Sequence, residues 1–167
     1  SFLNKNKINS VGISGLSGNM INAEINKQDL GFVGEIKNLN INLIEDLLNK
    51  NYVPVISPIG LNQNSKNEND SILNINADFV ASEIAKNLKA DKLIYQTDVD
   101  GIRDEKGRII SKMTLVQAKD LINSGIIVGG MLPKLESCIN SMQGVDRSHI
   151  INGSDNSLIE VFKGNRI

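Results

Sequence analysis

The chain has 167 residues and a formal net charge of -1, from 18 Lys and Arg against 19 Asp and Glu. With 40% hydrophobic, 22% charged and 4% aromatic residues, it can bury one ordinary core and lacks the basic excess that draws a protein to a polyanion. The uncharged stretch Ser124 to Pro133 holds three glycines and falls well short of the roughly 20 apolar residues of a membrane span, so neither nucleic acid nor a bilayer is an expected partner.

Cys138 is the single cysteine, which excludes an internal disulfide and a Cys-rich zinc site and fits a reducing, cytoplasmic setting. The start, Ser1-Phe2-Leu3-Asn4-Lys5, has neither an initiator Met nor a signal pattern, and we expect the chain to lie inside a longer one. The 23 Asn residues reflect an AT-rich coding sequence more simply than a function.

In chain order, apolar runs of strand length alternate with segments of helical period, which predicts an α/β fold. Val11–Ser14, Met20–Ile25 and Phe32–Leu39 read as strands separated by glycine turns. Asn42–Lys50 reads as a helix with Leu43, Leu47 and Leu48 on its apolar side, and Tyr52–Ser57 as the next strand. The run Asn62–Asp70 has nothing apolar to bury and predicts a solvated hairpin tip. Asn76 then caps a helix whose Ala77, Val80, Ala81, Ile84, Ala85 and Leu88 follow the 3.6-residue repeat.

Lys92–Gln96 is a compact strand that runs into the turn Thr97–Gly101. Thr114 and Gln117 make a capping box for a helix carrying Leu115, Ala118, Leu121 and Ile122. A further helix begins near Met131, with Pro133 in its first turn, and carries Leu135, Cys138, Ile139 and Met142. His149–Gly153 reads as a strand and Ser157–Phe162 as a last helix, with no internal repeat and no second domain boundary, so residues 1–167 read as one domain.

Three places put polar chemistry at a strand's carboxyl end or a helix's amino end, where open α/β sheets collect ligands. Asn74-Ile75-Asn76-Ala77-Asp78 offers amides, helix N–H groups and a carboxylate able to hold a lysine, and it also reads as a plain Asn cap with an acidic first turn. Thr97-Asp98-Val99-Asp100-Gly101-Ile102 can grip a nucleotide's ribose or base, or reach a Mg²⁺ ion through water; its alternative is an ordinary Asp-rich turn. In Gly129-Gly130-Met131-Leu132-Pro133-Lys134 the glycines admit a phosphate to the backbone and Lys134 adds a positive charge. A lysine in a first turn opposes the helix dipole, and that conflict with stability is the sharpest hint of function.

A Gly-x-x-x-x-Gly-Lys-Ser/Thr loop is missing, and Gly12, Gly15 and Gly18 do not form the dinucleotide fingerprint. His149 is the only histidine and falls in a strand, which leaves a histidine triad or a multi-histidine metal site without members; it and Cys138 read as structural.

Together, Val11–Gly15, Asp29–Glu35, Tyr52–Gly60, Asn74–Asp78, Thr97–Gly101, Gly129–Lys134 and His149–Gly153 resemble, in order and spacing, the carboxyl-terminal nucleotide-binding half of the amino acid kinase family, in its acetylglutamate branch. The resemblance implies a three-layer sandwich, with a mainly parallel sheet, helices on both faces and a β-hairpin region. It implies transfer of the ATP γ-phosphoryl group, with Mg²⁺ carried by the nucleotide, to the side-chain carboxylate of N-acetyl-L-glutamate in arginine biosynthesis. It assigns Lys134 to the transferring phosphoryl, Asp78 to orienting catalytic lysines and Asn74 to acetylglutamate. Asp98, Val99, Asp100, Gly101, Ile102 and Arg103, with Ile126, Ile127 and Val128, are assigned to ATP.

Lys-x-Gly-Gly and the other amino-terminal site loops of the family do not occur before Val11, and Leu16-Ser17 stands where many relatives have Lys-Asp. The expectation is therefore a part of a longer, homo-oligomeric kinase that binds nucleotide and has little activity alone. The competing readings are another carboxylate or carbamate kinase and a non-catalytic nucleotide-binding module.

Overall fold

The computed structural model describes residues 2–28, 30–67, 71–153 and 157–163. Asp29 and Glu68–Asp70, which fall within two of the predicted pieces, lie outside the described residues. The chain is a mixed α/β structure that divides into two compact units, Ser1–Val80 and Ala81–Ile167.

The first unit opens with a short helix α1 (Phe2–Lys5), then β1 (Ser10–Ser14), β2 (Ile21–Ile25), β3 (Gly34–Leu39), α2 (Asn42–Asn49), β4 (Val53–Ser57), β5 (Ile59–Asn62) and β6 (Ile72–Asn74). β1 and β4 pair in parallel, with Ser10 opposite Val53 and Ser14 opposite Ser57. A second, four-stranded sheet has the order β3-β2-β5-β6: its β2–β3 and β5–β6 pairs are antiparallel and its β2–β5 pair parallel. The expected hairpin region is thus present. Among the described residues of this unit, Met20, Ile21, Ala23, Ile44, Leu73, Ile75 and Val80 are the buried apolar side chains.

Three elements escaped the sequence pattern. α1 buries no side chain and is tied down by Asn4, whose Oδ1 accepts from the Ser10 N–H at 2.7 Å and whose Nδ2 donates to the Ser10 carbonyl at 3.2 Å. β5 ends in a buried Asn62, and β6 has only three residues, too few to show alternation. On α2 the buried residue is Ile44, with Leu43 and Leu47 partly buried beside it as expected, whereas Leu48 is 44% exposed and lies off the inward side.

The second unit takes most of α3 (Ala77–Leu88), which starts in the first unit, followed by β7 (Lys92–Thr97), α4 (Leu115–Asn123), α5 (Met131–Ser141), β8 (Arg147–Asn152) and α6 (Ser157–Phe162). β7 and β8 pair in parallel from Lys92 opposite Arg147 to Thr97 opposite Asn152. Pairs of this kind need helical cover. Leu93 and Tyr95 pack with Ala81 and Ala85 of α3, Cys138 of α5, and Val145. A separate cluster joins Ile102, Ala118, Ile127 and Leu135.

The predicted caps are formed. The Asn76 Oδ1 accepts from the Asp78 N–H at 2.9 Å, and Thr114 and Gln117 close a reciprocal capping box. No described helix is long and apolar enough to cross a membrane.

Candidate functional site

In the first unit, Asn74 closes β6. Its N–H donates to the Phe32 carbonyl at 2.8 Å, and that of Ile75 donates to the Pro58 carbonyl at 2.8 Å, so the segments before β3 and between β4 and β5 hold this end by backbone bonds. Leu73 and Ile75 are buried on either side of Asn74, which is exposed. Alternation therefore turns the Asn74 amide outward while its neighbours anchor the strand. Four residues on, Asp78 stands partly buried in the first turn of α3, its backbone N–H engaged by Asn76. A carboxylate there is favoured by the helix dipole.

In the second unit, the polar turn leaves the carboxyl end of β7 and is braced from β8. Asn152 Nδ2 donates to Asp100 Oδ1 at 2.9 Å, and Arg103 lies 3.5 Å from the other Asp100 oxygen. Thr97 Oγ1 donates to Asp98 Oδ1 at 3.1 Å. Past the turn, the Ile110 N–H donates to the Ile102 carbonyl at 2.8 Å and Arg103 bridges to Ile109, which folds Asp104–Arg108 into a small excursion. Within it, bonds from the Arg108 backbone and guanidinium hold the Asp104 carboxyl below its ordinary pKa. Gly101, at φ 140°, occupies a conformation that favours glycine.

Asn152 is the member that sequence reasoning left without a role, and Thr97 was read only as the start of the turn. The signal for them was positional: both end paired strands, at Thr97 opposite Asn152, where side chains reach the turn.

Gly129, at φ 61°, and Gly130 lead into α5, and a Cβ at either would meet nothing within 4 Å. The backbone is therefore open to approach here, as the glycine pair suggested. Gly130 is the N-cap and brings no side-chain cap; the Leu132 N–H donates to the Gly129 carbonyl at 3.2 Å and Pro133 has no N–H, so of the first three helical residues only Met131 is left to offer one to an acceptor. Lys134 lies partly buried in that turn, with its carbonyl accepting from Ser137 Oγ at 2.9 Å.

The cluster of Ile102, Ala118, Ile127 and Leu135 is what draws the pieces together. Ile102 comes from the Asp98–Arg103 turn, Ile127 from the middle of Ile126–Val128, and Leu135 follows Lys134 on α5. Ile102 and Ile127 are 6% and 7% exposed, so their side chains serve the core and only their backbones can face a ligand; Val128 is 71% exposed. The turn, the 126–128 segment and the glycine-to-α5 junction are thus one assembly, with acidic, apolar and cationic parts.

The two best-formed depressions among the described residues, about 380 and 330 Å³, lie elsewhere in this unit. One is lined by Lys89–Asp91 and Met142–Asp146, which precede β7 and β8, and so sits at the amino ends of these strands. Open parallel sheets bind ligands at the other end, and we place the candidate site there. His149 is buried on β8, with Nε2 lacking a hydrogen-bond partner among the described residues. Burial, then the charges of Lys92 and Arg147, holds its pKa below the ordinary value, consistent with a structural residue.

Comparison with known proteins gives the family of the chain. The chain is 44% identical, over its whole length, to the acetylglutamate kinase of Campylobacter hominis, and 46% identical, over 97% of its length, to that of Methanocorpusculum labreanum. In each case it spans 59% of the relative's length. Among solved structures, smu.665 from Streptococcus mutans UA159 superposes with a TM-score of 0.76 at 26% identity, covering 92% of this chain and 64% of that one. The family model described as "Amino acid kinase family" matches residues 1–152, a span holding every site residue named above, and the chain belongs to that family.

Proposed function

We propose that this chain is the nucleotide-binding part of an ATP-dependent kinase that phosphorylates the side-chain carboxylate of N-acetyl-L-glutamate. The observation that carries this reading is the cluster tying the Asp98–Arg103 turn, the 126–128 segment and the lysine-bearing turn of α5 into one assembly. The acceptor carboxylate is ionised at pH 7 and needs no general base. What the reaction requires is two anions brought in line and neutralisation of the charge on the moving phosphoryl group. Lys134 is suited to that neutralisation, with the open backbone of Gly129-Gly130 close to it in sequence. The Asp98–Arg103 turn and the Ile126–Val128 backbone hold the adenine nucleotide, whose Mg²⁺ arrives with it as part of the substrate. Asp78 supplies the carboxylate that orients catalytic lysines, and Asn74 the amide that binds acetylglutamate.

The rest of the active site belongs to polypeptide that the relatives have in addition to the matched part. The longer protein is read as a cytoplasmic homo-oligomer acting in arginine biosynthesis. The test is acceptor profiling of that longer polypeptide, with hydroxylamine trapping of the acyl phosphate. Trapping with N-acetyl-L-glutamate and MgATP supports the reading, and trapping with carbamate or another carboxylate alone rejects it.

A further inference from the structure

Inside the second unit, a polar network fastens α5 to α3. Asn140 Nδ2 donates to Glu83 Oε1 at 2.7 Å and to Ser82 Oγ at 3.3 Å, and Lys86 Nζ donates to the same Glu83 oxygen at 2.7 Å. Ser82 is fully buried, while the Glu83 and Lys86 side chains are 24% exposed. Burial pushes the Glu83 carboxyl up, but the bonds from Lys86 and Asn140 and the Lys86 charge outweigh it and leave its pKa below the ordinary value. The carboxylate is therefore a persistent anion to which Asn140 makes a charge-assisted bond.

Around this network the helices approach closely. Ala81, Ala85 and Cys138 share one apolar cluster, and a Cβ at Gly144 would overlap the Lys86 carbonyl oxygen. Ser141 Oγ lies 2.7 Å from Ser148 Oγ of β8, so the carboxyl-terminal half of α5 is pinned on two sides. The amino-terminal turn, which carries Lys134, follows an open glycine pair with no side-chain cap and is held by Met131, Leu132 and Leu135 against Ile102 and Ile127. A helix transmits rotation along its axis, and Asn140 lies six residues beyond Lys134, about 9 Å at the helical rise.

We propose that Asn140 is a positioning residue for Lys134: its bonds to Glu83 and Ser82 set the rotation of α5 at which the ammonium group meets a bound phosphate. This rests on the nucleotide-site reading above. It is tested on the 167-residue chain by amide hydrogen exchange in α5 and by titration with MgADP and with the Mg²⁺ complex of a non-hydrolysable ATP analogue, which carries the γ-phosphate that Lys134 is assigned to.

Asn140→Leu removes both donors, and it should speed exchange at Leu135 and Glu136 and weaken binding of the ATP analogue about tenfold, with a smaller loss for MgADP. In a Lys134→Ala background the same change should weaken binding less than about twofold, because the residue that Asn140 positions is already gone. Should Asn140→Leu not fold, Asn140→Asp takes its place, setting a carboxylate against Glu83. Adding Glu83→Gln to Asn140→Asp rebuilds the bond with its polarity reversed and should restore both exchange and affinity. Unchanged exchange overturns the clamp, and an equal loss with and without Lys134 overturns positioning in favour of general stability. No MgADP binding by the unaltered chain fails the nucleotide reading and removes the phosphate from the proposal, while the exchange data still decide whether Asn140 governs the first turn of α5.

Discussion

Lys134 stands in the first turn of α5, where the helix dipole disfavours a cation, so its presence there calls for an anion. Under the proposed function, Lys134→Ala in the longer kinase lowers turnover by about 10²–10³, the usual effect of removing one electrostatic group from a transition state; retained turnover would remove Lys134 from the mechanism. Gly129, two residues before the helix, adopts φ 61°, which costs an L-residue about 1–2 kcal/mol. Gly129→Ala should therefore lower the thermal midpoint of the chain. His149 offers a test by pH. Its buried imidazole has a lowered pKa, so as pH falls below the ordinary value of 6.5 the unfolded chain takes up a proton that the folded chain refuses. Stability is thus lost as pH drops from that value toward the folded pKa. His149→Leu should flatten this limb of the denaturation curve, and an unaltered limb would rule out the imidazole as its source.

At the scale of elements, what the sequence made legible was whatever rests on local chemistry. The Thr114–Gln117 box is such a case, and Thr114→Ala should destabilise by about 1 kcal/mol in urea denaturation. α3, α4, α5 and α6 were readable because caps and apolar repeats are written within one turn or two. β5 and β6 were not, since a three-residue strand and a buried Asn62 derive their order from partners far along the chain. The same limit applied to the site. Asp98, Asp100 and Lys134 stand out by residue type, and Thr97 bonds its own neighbour Asp98, but the brace from Asn152 to Asp100 follows from the β7–β8 register, which no local window contains. That Ile102 and Ile127 serve the core was likewise invisible until their cluster was seen. Glu83 adds a check at this scale. Its lowered pKa means that the stabilisation by Lys86 and Asn140 is present above the ordinary carboxylate range and is lost as pH falls through its folded value.

At the scale of the molecule, the chain belongs to the amino acid kinase family and spans 59% of the length of the acetylglutamate kinases it matches. Its second unit gathers the turn after β7, the 126–128 segment and the start of α5 around one apolar cluster. Nucleotide binding is thus the activity this chain should keep when alone, and acyl phosphate formation the one it should lack. Titration with MgADP, followed by backbone amide shifts, tests this most directly. The account predicts saturable shifts at Asp98–Arg103, Ile126–Gly130 and Lys134. Millimolar nucleotide that leaves these signals in place, or moves only those around Lys89–Asp91 and Gln143–Asp146 at the opposite end of β7 and β8, would contradict it.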